Sequence, residues 1–440
     1  MDVNKELLEF IEKSPSVYHV AVNMAFMLKK AGFKQLKETS SWDLAPGGKF
    51  FVVRNNSSII AFTVGERTGS FYFKIAASHS DSPTFMVKEV PELEGPGEYL
   101  RLNVEPYGGM IDYSWFDRPL GLAGRVYIRE GNAIRNRLIA TGRDVCLIPS
   151  QSIHFNRDVN KGVEFNRQID LCPLFSKGTF KKGALNQLIA DSLNVSTDQI
   201  ISKNLFLVNR QQGTIWGAAN EFISSPKLDD LQCAFTSLKG FISASEKPIS
   251  DGCINIFACL DNEEVGSGTK QGAMSTFLKD VLYRICICRR AMAEEYHMAV
   301  AKSFMVSCDN AQAVHPNHPE KYDLNNAPEM NKGIVIKENA AQKYMTDAFS
   351  RGVFRMLCEK AGVPWQTYSN RSDQPGGSTL GNISTAQVSM NGVDVGLPQI
   401  AMHSAYETAG AHDNADAVKL FETFYQSRIN IEGPDKVEIE

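Results

Sequence analysis

The chain has 440 residues, a formal net charge of −4, 43% hydrophobic and 22% charged residues. That length exceeds what one core usually covers and predicts two domains, or one domain carrying a large insertion. The balance is that of an ordinary soluble globular protein, and the mild acidity argues against nucleic-acid and membrane-surface binding, which use a basic face.

No run of about 18 apolar residues is present, so no membrane span is expected. The opening MDVNKELLEFIEK lacks the basic start and continuous apolar core of a secretory signal. Nine cysteines, an odd number without a CxxC pair, read as reduced thiols. Together these features predict a cytoplasmic protein.

In chain order, residues 5–31 have helical periodicity broken at Ser14-Pro15, with Leu7, Leu8 and Ile11 on one stripe. FFVVRNNSSIIAFTV, 50–64, reads as a hairpin turning at Asn55-Asn56-Ser57. FYFKIAASHSD, 71–81, is a buried strand ending on polar residues. Residues 86–220 change texture to short β-like runs with many glycine turns and one helical stretch near 184–193, which predicts a β-rich insertion. From 221 onward strands and helices alternate: LDDLQCAFTSLKGFISA, INIFACLDNEEVG, SFMVSCDNA, the helical 346–361, and VGLPQIAMHS. Such alternation predicts an α/β fold with a mixed, largely parallel sheet flanked by helices.

Apolar strands here end repeatedly on metal-capable side chains. AASHSD supplies His79 and Asp81, CLDNEEVG supplies Asp261, Glu263 and Glu264, MVSCDN supplies Asp309, and IAMHS supplies His403. Ligands of open parallel sheets bind beyond the carboxyl ends of the strands, so these residues are expected to converge. Asp229, in KLDDL, opens a predicted helix. Imidazoles with carboxylates suit zinc, and also manganese or cobalt. A pair of ions needs a bridging carboxylate, and hydrolysis needs a free one as base. Of the tandem Glu263-Glu264, one can ligate while the other acts as base, because adjacent side chains point apart. Asp81, two residues after His79 on a strand, shares its face and can hold the other imidazole nitrogen. Cys308 beside Asp309 points the other way and is expected in the core.

NEEVGSG, flanked by KLDD and HSD, resembles the M18 metallopeptidases, the aspartyl aminopeptidases. ASHSDSP, VEPYGG, SWFDRPLGLAGRV, IHFNRDVN, AVHPN, NRSDQPGGSTLG and LPQIAMHS follow in family order over nearly the whole chain. The resemblance implies a zinc-exopeptidase-type α/β catalytic domain from residues 1–85 and 221–440, interrupted by a β-rich dimerisation domain at 86–220. It implies two divalent ions per subunit, zinc with manganese or cobalt as alternatives: His79 and Asp309 on one, Glu264 and His403 on the other, Asp229 bridging. Glu263 would be the general base for an activated water, and Asp81 would orient His79. Family members are homo-oligomers, dimers assembled into tetrahedral dodecamers, and His154 matches a histidine that reaches a neighbouring subunit's site. Lys337, with Tyr344 beside it, matches the lysine lining a pocket for acidic N-terminal residues of peptide substrates; Arg371 is a second cation. One departure concerns Gln312, where the family carries a histidine three residues after the ligand Asp309. It bears on substrate preference and leaves room for a broader or neutral specificity. A non-catalytic shell or cargo protein is the alternative of another class, and the complete ligand set argues against it.

Overall fold

The computed structural model describes residues 2–65, 69–248 and 252–440. The chain starts with two helices, Val3–Glu12 and Val17–Lys30, separated at Ser14-Pro15 where the sequence predicted a break. Leu7, Phe10, Ile11, Met24 and Leu28 are buried along them. A hairpin of Lys49–Arg54 and Ser58–Val64 follows, and Asn55 and Asn56 at its turn both have φ of 57°. Asparagine tolerates that left-handed conformation better than most residues.

The hairpin belongs to a nine-stranded sheet. Its order is Lys34–Leu36, Lys49–Arg54, Ser58–Val64, Cys253–Leu260, Tyr72–His79, Phe304–Cys308, Asn391–Gly396, Ile334–Lys337 and Trp365–Tyr368. The four strands Cys253–Leu260, Tyr72–His79, Phe304–Cys308 and Asn391–Gly396 run parallel. Leu260 pairs with His79, and Ser307 with Ala77. Continuing that register brings Asp261, His79 and Asp309 to one end of the sheet. Parallel strands buried on both faces need continuous apolar sequence, and every residue of CINIFACL and FMVSC is buried.

Alternate residues feed two cores. Phe257 and Cys259 pack with Leu238, Phe241, Leu357 and Phe421, on the helices Leu228–Ser245, Ala348–Ala361 and Asp413–Gln426. Ile254, Ile256 and Ala258 pack with Phe277, Leu282 and Ile285 of the helix Phe277–Cys288. Lys74 breaks the apolar rule: it is fully buried on its strand. Its ammonium donates to the carbonyls of Phe424 (3.0 Å), Tyr425 (2.7 Å) and Ser427 at the end of the last long helix. Those carbonyls have no helical partner. Lys74→Met should leave the Phe424 and Ser427 carbonyls without this donor, while Tyr425 keeps the Asn255 side-chain amide at 3.0 Å, and destabilise the fold by about 3 kcal/mol, read as a shift in the urea midpoint at constant slope.

A second sheet lies entirely between Thr84 and Asn209. Its seven strands pair antiparallel, and Ile200–Asn209 pairs with both Thr84–Glu94 and Pro119–Glu130, closing it like a barrel. Phe85, Leu102, Leu122 and Val126 fill it, with Leu185 and Ile189 of the helix Ala184–Leu193 against them. The strand Ala133–Ala140 stays outside this closure as an edge strand, paired only with Pro119–Glu130, and its Arg135 and Arg137 place charge on that edge. A five-stranded sheet joins Thr214–Trp216 and Phe222–Ser225 to Glu407–Gly410, Pro398–Ile400 and Ala311–Gln312. No helix among the described residues is long and apolar enough to cross a membrane.

Candidate metal centre

His79 is the last residue of its strand, and Asp309 follows the strand Phe304–Cys308 directly. Asp229 begins the helix Leu228–Ser245 with an extended backbone, and its peptide bond to Asp230 is cis. Glu263 and Glu264 form a 3-10 turn, Glu263–Val265, introduced by Asn262 at φ 65° and closed by Gly266 at φ 92°. His403 sits in the turn after the strand Pro398–Ile400, at φ 66°.

These side chains meet around Asp229. Its Oδ1 lies 3.3 Å from His79 Nε2, and its Oδ2 lies 3.4 Å from His403 Nε2. Asp309 Oδ1 is 3.6 Å from His79 Nε2, and Glu264 Oε2 is 3.5 Å from His403 Nε2. Donor atoms sharing one tetrahedral ion at about 2.0–2.1 Å stand roughly 3.3 Å apart, so each half has the spacing of a ligand set. Asp230 joins the first half, and Glu263 lies within reach of His79 and Glu264.

Hydrogen-bond roles give an independent test of metal fit. His79 Nδ1 faces the Asp81 carbonyl at 3.1 Å and the Asp81 carboxylate at 3.4 Å, both acceptors. Nδ1 therefore carries the proton, and in the neutral ring Nε2 is a bare lone pair. That lone pair points at carboxylate oxygens, an arrangement that calls for a cation between them. Asp229 Oδ1, Asp230 Oδ1 and Glu264 Oε1 are buried and accept no hydrogen bond from any described residue. Burial, with Asp229 next, pushes Glu264 well above the usual carboxylate range, and burial pushes Glu263 up to about 8. For the imidazoles burial works in the opposite sense. The surrounding carboxylates outweigh it, raising His79 well above its ordinary value and His403 to about 10. Protons are held where a divalent ion would otherwise supply the charge, so the residues fit a metal.

The supports are as ordered as the donors. Glu407 accepts the N–H groups of Asp229 (3.0 Å) and His403 (2.7 Å), and Asp230 accepts the N–H of His79 (3.0 Å). Asp81 accepts the N–H groups of Glu263 and Glu264, each at 3.1 Å. Lys337 is buried. Its ammonium donates to the carbonyls of Asp309 (2.8 Å) and Asn310 (3.3 Å), lies 3.5 Å from Asp309 Oδ2 and sits 5.3 Å over the Tyr344 ring. Burial alone would raise the Asp309 carboxyl, but Lys337 and His79 hold it well below the usual range.

Other sequence candidates lie apart from this cluster. His154 is exposed on an irregular segment of the second sheet, next to Phe155, which is 83% exposed. Arg371 is exposed and pairs with Asp373 at 2.9 Å. Gln312 is exposed at the end of a two-residue strand. Cys308 is buried in the core as expected.

Residues 10–425 match the family model described as Aminopeptidase I zinc metalloprotease (M18). The chain belongs to the M18 family of metallopeptidases. It is therefore a metalloaminopeptidase, a hydrolase of a family described as zinc metalloproteases. Two M18 relatives, each named probable M18 family aminopeptidase 2, come from clostridia. The Clostridium novyi protein is 42% identical, covering 96% of this chain and 98% of its own. The Clostridium acetobutylicum protein is 43% identical, covering 97% and 99%. Among solved structures, the Ape4 and Nbr1 complex superposes with TM-score 0.93 at 34% identity, covering 97% of this chain and 85% of that one. The S. cerevisiae mApe1 dodecamer gives 0.85 at 28% identity, covering 96% of both.

Three supports of this M18 site went unread in the sequence: Asp230, Glu407 and Tyr107, whose hydroxyl donates to Asp81 Oδ2 at 2.8 Å. Asp230 was within reach, as the second member of the LDD doublet. Glu407, four residues after His403, opens the short strand Glu407–Gly410 and gave no signal beyond that of a strand-end carboxylate. Tyr107 carried no chemical signal of its own.

Proposed function

We propose that this M18 enzyme is a di-metal aminopeptidase in which Asp229 bridges two ions. The observation that supports it is the split of one carboxylate, Oδ1 toward His79 and Oδ2 toward His403. His79 and Asp309 would hold one ion, Glu264 and His403 the other, with zinc the favoured metal and manganese or cobalt acceptable. When bound, the ions supply Lewis acidity toward the scissile carbonyl and the attacking water. Glu263 takes the proton from that water and delivers it to the leaving amine. Asp81 keeps His79 in the tautomer that presents Nε2 to the metal. Chelator treatment should remove activity, and added Zn2+, Mn2+ or Co2+ should restore it; activity that survives a verified apo preparation contradicts the reading.

The preferred substrates are peptides with an N-terminal Asp or Glu, recognised through Lys337 with Tyr344 beside it. A second reading, a preference for neutral N-terminal residues, is favoured by one observation: two N–H groups of Lys337 are already taken by carbonyls, and Asp309 Oδ2 is close to the third. Gln312 in place of a cationic histidine points the same way. Asp-, Glu- and Leu-anilides assayed side by side decide between them. Higher kcat/KM on the acidic pair supports the first reading, and equal or better rates on Leu establish the second.

The proposed cell compartment is the cytoplasm. The proposed organisation has a catalytic domain at 1–85 and 221–440 and a dimerisation domain at 86–220. Dimers would assemble into a tetrahedral dodecamer, consistent with the dodecameric S. cerevisiae relative. His154 would then enter a neighbouring subunit's site, and its exposed neighbours Ile153 and Phe155 would be covered. His154→Ala is expected to lower kcat about 10- to 100-fold without loss of metal; an unchanged kcat in the intact oligomer contradicts that role.

A further inference from the structure

Tyr107 ends the strand Tyr99–Tyr107 of the second sheet, outside the nine-stranded sheet that carries His79. Its ring packs edge-on against Phe206, with centroids 5.5 Å apart. Its hydroxyl leaves that sheet. It donates to Asp81 Oδ2 at 2.8 Å and accepts from Asn262 Nδ2 at 2.7 Å. Both partners fix the same turn. The Asp81 carboxylate receives the backbone N–H groups of Glu263 and Glu264. The Asn262 side-chain oxygen receives Thr269 Oγ1 at 2.8 Å and Gln271 Nε2 at 2.7 Å.

The segment after Tyr107 grips the same region. Gly108 has φ 81°, and a Cβ there would come within 3.1 Å of Glu264 Cβ and 3.3 Å of Glu264 O. Ile111 N–H donates to the His403 carbonyl at 3.0 Å, and Ala405 N–H donates to Ser114 Oγ at 2.9 Å. Residues 107–114 thus contact both turns that bear Glu264 and His403.

We propose that Tyr107 is a positioning residue for hydrolysis, its hydroxyl clamping Asp81 to Asn262 so that the 262–264 turn presents Glu263 and Glu264 in fixed directions. The second sheet thereby sets the aim of the base and of one metal ligand. The geometry explains why a phenol suits the position: one oxygen must donate to a carboxylate and accept from an amide at once. This inference rests on the proposed roles of Glu263 and Glu264.

The test compares wild type, Tyr107→Phe, Asn262→Ala and the double variant. Each is the full chain, loaded with zinc and assayed on whichever anilide the wild type hydrolyses best. Tyr107→Phe keeps the ring against Phe206 and removes only the hydroxyl. Its kcat is expected to fall about 10- to 100-fold, with KM within about twofold and zinc content unchanged. Asn262→Ala should fall at least as far, since it also removes the acceptor of Thr269 and Gln271 and puts alanine at φ 65°, and the double variant no further than Asn262→Ala alone, because the clamp is already cut. A wild-type kcat in Tyr107→Phe, penalties that multiply in the double variant, or full rescue by excess zinc each overturn the inference. A wild type that hydrolyses no anilide overturns the peptidase reading instead.

Discussion

Asp229→Asn is expected to abolish turnover, lowering kcat/KM by at least about a thousandfold, the equivalent of several kcal/mol of lost metal assistance. The reason is stereochemical as well as electrostatic. A carboxylate offers two equivalent acceptor oxygens, and here each faces a different histidine, at 3.3 and 3.4 Å. An amide offers one oxygen, and its NH2 group would turn two protons toward the other imidazole and ion. Metal content should therefore drop to one ion or fewer per chain. In the apo protein the same carboxylate faces both raised imidazoles, so Asp229→Asn removes a buried charge partner and is expected to melt below the apo wild type. Two tightly held ions and turnover within tenfold of wild type would contradict the bridging role.

Glu263→Gln should lower kcat about 10²- to 10⁴-fold while zinc stays near two per chain. Glu263 and Glu264 are neighbours in sequence but not in surroundings. Glu264 Oε2 stands 3.5 Å from His403 Nε2, in the spacing of a shared ion. Burial drives Glu263 up to about 8, against the lowering effect of His79 and with Asp309 adding to the rise. Two bound divalent ions would lower it further toward an ionised base at neutral pH. Glutamine keeps the shape and loses the proton-accepting oxygen. Loss of one zinc in this variant would move Glu263 into the ligand shell.

Much of this site was legible because parallel strands align their carboxyl ends. Once AASHSD, CLDNEEVG and SCDNA were read as strands of one sheet, their polar tips had to share one edge, and the register of Ser307 with Ala77 and Leu260 with His79 has that form. The Asn55-Asn56 turn and the break at Ser14-Pro15 were legible for local reasons, the left-handed tolerance of asparagine and the stiffness of proline. What stayed hidden depends on distant partners. Lys74 sits in an apolar strand and finds its three carbonyls about 350 residues away. Glu407 and Tyr107 act only through backbone amides and a carboxylate that no spacing rule connects to them. Lys337, matched by resemblance to a pocket wall, also secures Asp309, a proposed ligand, and a sequence cannot apportion one ammonium between two roles.

Anomalous diffraction from zinc-loaded crystals bears most directly on the bridged pair. Two zinc peaks should appear on opposite oxygens of Asp229, one also bound by His79 and Asp309 and the other by Glu264 and His403, with Glu263 in neither set. A single peak, or a pair whose shared ligand is any residue other than Asp229, would contradict it.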